Sequence, residues 1–373
     1  MKKILFVINV DWFFESHFLP LAQEALKRGY EVHIACGFTD KEEYFQNLGM
    51  HTHPLSITRS GTSLSQELRV MMEIYRVIKN VQADIVEFFT IKPVLYGGIV
   101  SHFTKTKKRV FYITGLGYVF IQKGFKGSIV KNIVKTLYRL ALFGKNTSVI
   151  TENGYDKALI ENLGIIAAKD IHIIKGAGVD LQKYPFVPEP STEMTTIVMA
   201  SRLLRDKGVY EYAAAAKEII QDGYNVKFLL YGDIDIYNPT SLNNQELSSL
   251  QKDGYVAVKG FCDDIAKVFR DTHIVVLPSY REGLPKVLVE ASACGRAVVT
   301  TDVPGCRDVI IPDKTGILCK DKDSHSLAKA IKKLLDNAQM RKKMGYNARK
   351  LAEKEYDIKT ILTQHFNIYE EKQ

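Results

Sequence analysis

The sequence predicts an α/β protein built from two doubly wound, Rossmann-like domains, and three observations carry that expectation. Short, almost wholly apolar runs alternate with helix-patterned segments along the chain, as in parallel sheets covered on both faces. The length of 373 residues is long for one typical domain and comfortable for two, each with its own core. The alternation pauses once, at YPFVPEPSTE (184–193), with three prolines in six residues. The expected domains are therefore 1–187 and 188–356, with a C-terminal helix of about 357–373 returning to the first.

In chain order, KILFVINV reads as a first strand, DWFFES as a loop, and the stretch ending KRGY as a helix closed by Gly29. EVHIACG, ADIVEFF, KRVFYIT and TSVIT are further strands, and LSQELRVMMEIYRVIKNVQ has apolar residues at helical spacing. After the prolines come strands TTIVMAS, VKFLLYGD, YVAVKGF and IVVLPS, with helical segments between them. The opening MKKILFVINV imitates a signal peptide for ten residues, but Asp11 and Glu15 interrupt the apolar run, so a core strand is expected there. No apolar run approaches the ~18 residues needed to cross a bilayer.

Composition is that of a soluble globular protein, with 46% hydrophobic and 25% charged residues. The five cysteines, Cys36, Cys262, Cys294, Cys306 and Cys319, form no C-x-x-C pair and fit thiols in a reducing, cytoplasmic compartment. The net charge of +9 is uneven: residues 1–187 carry 24 basic against 16 acidic side chains, and the remainder 27 against 26. Residues 101–150 hold ten basic residues and no acidic one. Such a bias points to an anionic partner or to a plain solvated surface. Nucleic acid is not expected, because no stacking-aromatic motif or groove-reading helix is recognisable.

Neither domain carries G-x-G-x-x-G after its first strand, which excludes a dehydrogenase fingerprint. The chemistry concentrates instead in SYREGLPKVLVEASACGRAVVTT (279–301), where a buried strand gives way to a turn and a helix. Ligands bind at the carboxyl edge of such sheets. Gly283 admits close backbone approach, Pro285 suits the first helical position, and amides of Leu284, Lys286 and Val287 face out at the positive end of the helix dipole. Glu282 and Glu290 flank this phosphate-binding geometry, and a carboxylate accepts two hydrogen bonds from a vicinal diol. A nucleotide sugar fits, with ribose at Glu290, diphosphate between and sugar at Glu282. A turn role for Glu282 and a solvated helix role for Glu290 stand beside it. Arg202 and Lys207, after the second domain's first strand, supply two cations at the same edge, and Phe261 is placed to meet a base. D-I-D at 233–235 imitates a metal-binding D-x-D, but with two cations serving the phosphates no metal is expected.

The combination of REGLPKVLVEASACGRAVVTTDVPG, SRLLRDKG and KGAGVDLQKY resembles family 4 of the retaining glycosyltransferases with a GT-B fold, across essentially the whole chain. DWFFESHFLPLA, FFTIKPVLYG and ITGLGYVFIQKGFKG resemble a subgroup that extends polyprenyl-diphosphate-linked glycans in bacteria. The resemblance implies two domains facing a cleft. It implies Arg202 and Lys207 on the donor diphosphate, Glu282 on the donor sugar, Glu290 on the ribose, and amides of Gly283 and Leu284 on the phosphates. It further implies transfer of a hexose or N-acetylhexosamine, α-1,3-linked GalNAc among the candidates, from a nucleotide sugar with UDP as the expected nucleotide. The acceptor would be a lipid-diphosphate-linked saccharide of O-antigen, capsule or glycoprotein assembly, and no cofactor is implied. One departure stands out: many members carry an acidic residue or histidine where this chain has Thr114 before Gly115, which leaves His17 as the substitute acceptor-side group. A nucleotide-sugar epimerase or hydrolase of like fold, and a non-catalytic nucleotide-sugar-binding protein, are the alternatives.

GSIVKNIVKTLYRLAL (127–142) places Ile129, Val130, Ile133, Val134, Leu137, Leu140 and Ala141 on one side of a helix and Lys131, Lys135 and Arg139 on the other. With Lys123 and Lys126 this helix is expected to meet anionic lipid headgroups at the cytoplasmic face of the membrane, or else to pack on its own domain with its cations in water.

Overall fold

The structure is a computed structural model that describes residues 1–58, 63–115 and 125–371, the side chains of 125–131 excepted. The chain divides into two compact units, Met1–Ala177 with Ile361–Gln373, and Gly178–Thr360.

The first unit is built on a parallel sheet of seven strands: β1 Lys3–Val10, β2 Glu31–Gly37, β3 His51–Pro54, β4 Ile85–Phe89, β5 Lys108–Ile113, β6 Thr147–Thr151 and β7 Ile171–Ile173. Their order is β3-β2-β1-β4-β5-β6-β7. Strand β1 is central, which explains why KILFVINV is apolar at every position: successive side chains enter opposite layers. Phe6 and Ile8 join the core formed with helices α1 (Asp11–Lys27) and α13 (Ile358–Glu370). Leu5 and Val7 join the core formed with helices α3 (Leu64–Val81) and α5 (Phe125–Leu142). The DWFFES stretch, expected to be a loop, is the first two turns of α1. Asp11 opens that helix with its carboxylate buried. It accepts from the amides of Thr39 (2.6 Å), Asp40 (3.1 Å) and Lys41 (3.1 Å) and from the Thr39 hydroxyl (2.8 Å). Burial pushes its pKa up, but those four donors outweigh it and hold the carboxyl below its ordinary value.

The second unit has a six-stranded parallel sheet, β8 Thr195–Ala200, β9 Val226–Tyr231, β10 Val256–Gly260, β11 Ile274–Leu277, β12 Ala297–Thr301 and β13 Gly316–Cys319, in the order β10-β9-β8-β11-β12-β13. Helices α7 (Val209–Gln221), α10 (Lys286–Ala293), α11 (Ser324–Leu335) and α12 (Ala338–Glu355) pack on it. Because every pairing is parallel, the loops after β8, β9, β10, β11 and β12 all emerge at one edge.

The proline-rich stretch is not a linker. The division falls at Ala177/Gly178, and residues 184–193 belong to the second unit. Their polar groups find partners there. Glu189 takes both ends of the Arg341 guanidinium at 2.9 Å, with each side chain only 7% exposed. The Pro190 carbonyl sits 3.1 Å from His273 Nε2, and Arg296 donates to the Val187 carbonyl. Prolines signalled irregular backbone correctly, but irregular backbone pinned by a buried ion pair and by side-chain contacts to its carbonyls is part of a domain.

The returning helix α13 brings an unusual group of polar side chains into the first core. Tyr369 donates to Glu87 Oε2, while Glu87 Oε1 and His365 Nδ1 face one another at 3.7 Å, too far for a hydrogen bond. His365 stacks on Tyr112, whose hydroxyl donates to Glu152 at 3.2 Å. Burial drives the Glu87 carboxyl up to about 8 and the His365 imidazole down to about 3. Folding therefore favours protonated Glu87 and neutral His365. Stability from the first is complete below the ordinary value of 4.5 and lost as pH rises through about 8; stability from the second is lost as pH falls below 6.5 toward 3. The two slopes oppose each other between 4.5 and 6.5. Stability of the first unit should then decline by up to about 1.4 kcal/mol per pH unit on raising pH from 6.5 to 8. Denaturant melts should show that decline in the native chain and its loss in Glu87→Gln.

Candidate functional site

The loop after β8 ends in a tight turn, Arg205–Lys207, that presents Lys207 at the carboxyl edge of the second sheet. Its Nζ meets Glu282 Oε1 at 2.5 Å, with side chains 17% and 13% exposed. The loop after β11 is laced to that turn: the Tyr280 amide and the Ser279 hydroxyl both donate to the Asp206 carbonyl, at 2.9 and 3.1 Å. From the other side the loop after β12 supports it. The Glu282 amide donates to the Pro304 carbonyl at 3.3 Å. Gly305, with φ +83°, lies so close that a Cβ there would sit 2.3 Å from the Glu282 carbonyl oxygen. Glu282 is thus held between two loops, with a cation against its carboxylate.

Helix α10 starts at Lys286, and Pro285 is its N-cap in an extended conformation (φ −69°, ψ 109°), not the first helical residue expected. The Pro285 carbonyl accepts from the Leu288 and Val289 amides, at 3.0 and 3.4 Å, so the proline closes the first turn through its oxygen. Leu284 is buried in the second core and anchors the loop. The first-turn amides of Lys286 and Val287 point out along the positive end of the helix dipole. Glu290 is not solvated. It is 7% exposed, accepts from the Tyr184 hydroxyl at 2.7 Å and lies 3.5 Å from Lys286 Nζ. Burial, with the Glu290 charge beside it, drives the Tyr184 phenol far above its ordinary pKa.

Arg202 donates through Nη1 to Asp235 Oδ2 at 2.8 Å, and the Asp235 amide bonds Ser241 Oγ at 2.9 Å. The D-I-D stretch therefore contributes a counter-ion for Arg202. Among the described residues no three His, Cys, Asp or Glu side chains are grouped to hold a metal ion. Phe261 follows β10 at the same sheet edge and is 69% exposed. The structure brings Lys207 against Glu282 and places Gly283, Leu284, Pro285 and Glu290 on the next stretch of chain. Arg202 turns to Asp235.

In the first unit Thr114 and Gly115 follow β5 at the carboxyl edge, both half-buried, with Gly115 at φ +117°. His17 is half-buried on α1, its ring packed on Phe13 (4.1 Å between centroids) and Nδ1 2.5 Å from Ser16 Oγ. Lys123 lies outside the described residues, as do the side chains of Lys126 and Lys131. Lys135 is half-buried and Arg139 exposed on α5, but the apolar face is narrower than the sequence suggests. Val134, Leu137, Tyr138, Ala141 and Leu142 pack inward, whereas Ile133 and Leu140 are 55% and 54% exposed, at the edge of the helix away from Lys135 and Arg139. Sequence reading missed Tyr184 and Asp235, whose partners lie 106 and 33 residues away, and Glu152, buried just after β6. Asp235 had a signal in the imitation of D-x-D, and Tyr184 closes the KGAGVDLQKY stretch, but neither pattern showed the partner.

Residues 3–153 match the family Glycosyl transferase 4-like, and residues 181–351 match Glycosyl transferases group 1. The chain is 28% identical over 367 residues, 95% of each sequence, to the N,N'-diacetylbacillosaminyl-diphospho-undecaprenol alpha-1,3-N-acetylgalactosaminyltransferase of Campylobacter jejuni. It is 24% identical over 287 residues, 74% of this chain and 72% of the relative, to the UDP-Gal:alpha-D-GlcNAc-diphosphoundecaprenol alpha-1,3-galactosyltransferase of Escherichia coli. Among solved structures, Anabaena Alr3699/HepE in complex with UDP-glucose superposes with a TM-score of 0.76 at 18% identity, covering 99% of both chains. The chain belongs to the GT-B-fold glycosyltransferases, with a 4-like N-terminal half and a group 1 C-terminal half.

The Gly305 contact gives a direct test of the loop geometry. Gly305→Ala should lower stability by about 1–3 kcal/mol and displace the Glu282 loop. Gly254→Ala has a similar φ of +76° with nothing within 4 Å of the added Cβ, so it separates backbone strain from collision. Circular-dichroism melts and nucleotide titrations of the two variants should show impaired nucleotide binding for Gly305→Ala alone.

Proposed function

We propose that the protein is a retaining, metal-independent hexosyltransferase that moves a hexose or N-acetylhexosamine from a UDP-sugar to a saccharide carried on a lipid diphosphate. The nucleotide sugar is a substrate, and no cofactor takes part. The observation that carries the reading is the Lys207–Glu282 contact beside the start of α10, with Glu290 one turn further on. The two relatives named for diphospho-undecaprenol acceptors support the acceptor class, and both names specify alpha-1,3 transfer. The likeness of fold to a protein crystallised with UDP-glucose supports the donor class.

In this reading Lys207, Arg202 and the first-turn amides of α10 sit where negative charge grows on the leaving diphosphate. Preorganised positive groups stabilise that charge more in the transition state than in the ground state, which is what lowers a barrier. Glu282 holds the sugar hydroxyls and Glu290 the ribose, while Phe261 stacks on the base. The departing phosphate oxygen takes the proton of the attacking acceptor hydroxyl on the same face, which accounts for retention without a side-chain base. In the apo state Glu282 neutralises Lys207; donor phosphate replaces the carboxylate as the ammonium's partner and frees Glu282 for the sugar. The acceptor approaches the carboxyl edge of the first sheet, near Thr114, Gly115 and His17. Lys135 and Arg139 on one flank of the exposed surface of α5, with Ile133 and Leu140 exposed on the other flank, let the helix rest on an anionic membrane surface. No helix among the described residues is long and apolar enough to cross a membrane.

A screen of UDP- and GDP-sugars against lipid-diphosphate-linked acceptors, read by mass, should give one strongly preferred UDP-sugar, with anomeric retention by NMR and activity preserved in excess EDTA. Lys207→Ala should fold and lose turnover by about 10²–10³-fold; near-normal turnover would exclude its role. In liposome flotation, binding should rise with anionic lipid content and fall in Lys135→Glu/Arg139→Glu. Equal binding to neutral vesicles would argue against an electrostatic contact.

A further inference from the structure

Tyr184 lies in the irregular segment that opens the second unit, yet three contacts tie that segment to helix α10. Its hydroxyl donates to Glu290 Oε1 at 2.7 Å across 106 residues of chain, with the Tyr184 side chain buried. Arg349 Nη1 donates both to the Tyr184 carbonyl (2.9 Å) and to the carbonyl of Ala293 (2.8 Å), the last residue of α10. Phe186 closes over the turn beyond the helix, where a Cβ on Gly295 would sit 2.5 Å from the ring. Helix position is accounted for by Arg349 and Phe186. An apolar ring at 184 would fill the remaining space equally well, so the hydroxyl has a separate purpose. It acts on the carboxylate.

Glu290 Oε1 receives the phenol and lies 3.5 Å from Lys286 Nζ, so one oxygen of the carboxylate is held by the protein itself. A glutamate free to rotate gives up rotamer freedom on engaging a ligand, and a carboxylate already fixed gives up little of that. We propose that Tyr184 is a positioning residue for the nucleotide: by fixing Oε1 of Glu290 it aims Oε2 at the ribose hydroxyls and sets the preference for ribonucleotides over deoxyribonucleotides. This rests on the reading of Glu290 as the ribose ligand. The hydroxyl-to-carboxylate bond is a charge-assisted contact in a buried setting, so its loss loosens the acceptor and leaves Oε1 with the Lys286 ammonium, 3.5 Å away, as its neighbour.

The test compares UDP with 2′,3′-dideoxy-UDP by calorimetry in the native chain, Tyr184→Phe and Glu290→Ala. Hydrogen bonds to a charged group contribute about 1.5–3 kcal/mol, so the native chain should prefer UDP by about tenfold or more. Tyr184→Phe should keep its affinity for the dideoxy nucleotide and bind UDP with a preference reduced to about twofold to threefold, with donor KM raised and kcat at saturating donor nearly unchanged. Equal weakening of both nucleotides would mark a merely structural role and overturn the proposal. Tyr184→Met, which also lacks the hydroxyl, must show the same collapse, and serves if the phenylalanine variant is unstable. A native preference retained in Tyr184→Phe but lost in Glu290→Ala removes Tyr184 from the mechanism and leaves Glu290 as ribose ligand. A preference retained in Glu290→Ala, or absent from the native chain, removes the ribose reading of Glu290 and the role of Tyr184 with it.

Discussion

The contact between Lys207 and Glu282, made across 75 residues, is the point on which the C-terminal half of this protein turns. An ammonium and a carboxylate, each largely removed from water, are held together by three loops that leave one edge of a parallel sheet. Removing either partner would leave a half-buried charge without its counterpart, a far larger penalty than the pair itself contributes to stability. Such an arrangement is a poor way to stabilise a fold and a good way to keep two charges poised for a third. A diphosphate arriving at the edge competes with Glu282 for Lys207, and a carboxylate so released is available to hydroxyl donors.

The supporting polar groups show how much of the second unit is arranged around that edge. Asp206 uses its carbonyl to hold the loop of Glu282, and its carboxylate accepts from Thr240 at 2.7 Å. Tyr280 donates to Glu211 at 2.7 Å, on the helix that follows Lys207. Beneath the Glu282 loop, burial pushes the Cys306 thiol up to about 12, so it packs as a small apolar group. Each of these side chains fixes a loop whose backbone would otherwise be free to drift, and a site at the ends of strands needs that rigidity more than the strands do.

The first unit handles polarity differently. Its buried Glu87, His365 and Tyr112 lie between the sheet and the helix that arrives from the end of the chain. The carboxyl is tolerated there because it carries a proton and the imidazole because it lacks one. Nearer the carboxyl edge, the Tyr112 hydroxyl donates to Glu152, which lies just after β6. The exposed surface of α5 carries its cations on one flank and Ile133 and Leu140 on the other, so it offers both charge and apolar area to a headgroup layer.

What the sequence determined by itself was whatever depends on local pattern: two parallel α/β sheets, the strand ends, the helix after Glu282 and the family to which its motifs belong. Apolar runs can only be buried strands when helices alternate with them, and a proline before a helix marks its start within one residue. Tertiary structure decided everything that depends on which distant groups meet. YPFVPEPSTE reads as a linker until Arg341, Arg296 and His273 are seen to bind it, and a solvated position stands open for Glu290, beside the ribose role, until Tyr184 arrives from outside its helix. Arg202 reads as a phosphate ligand, and only the fold shows Asp235 beside it. The reason is physical: periodicity reports whether a side chain faces inward or outward, but a buried polar atom is defined by its partner, and the partner's place in the sequence carries no periodic trace.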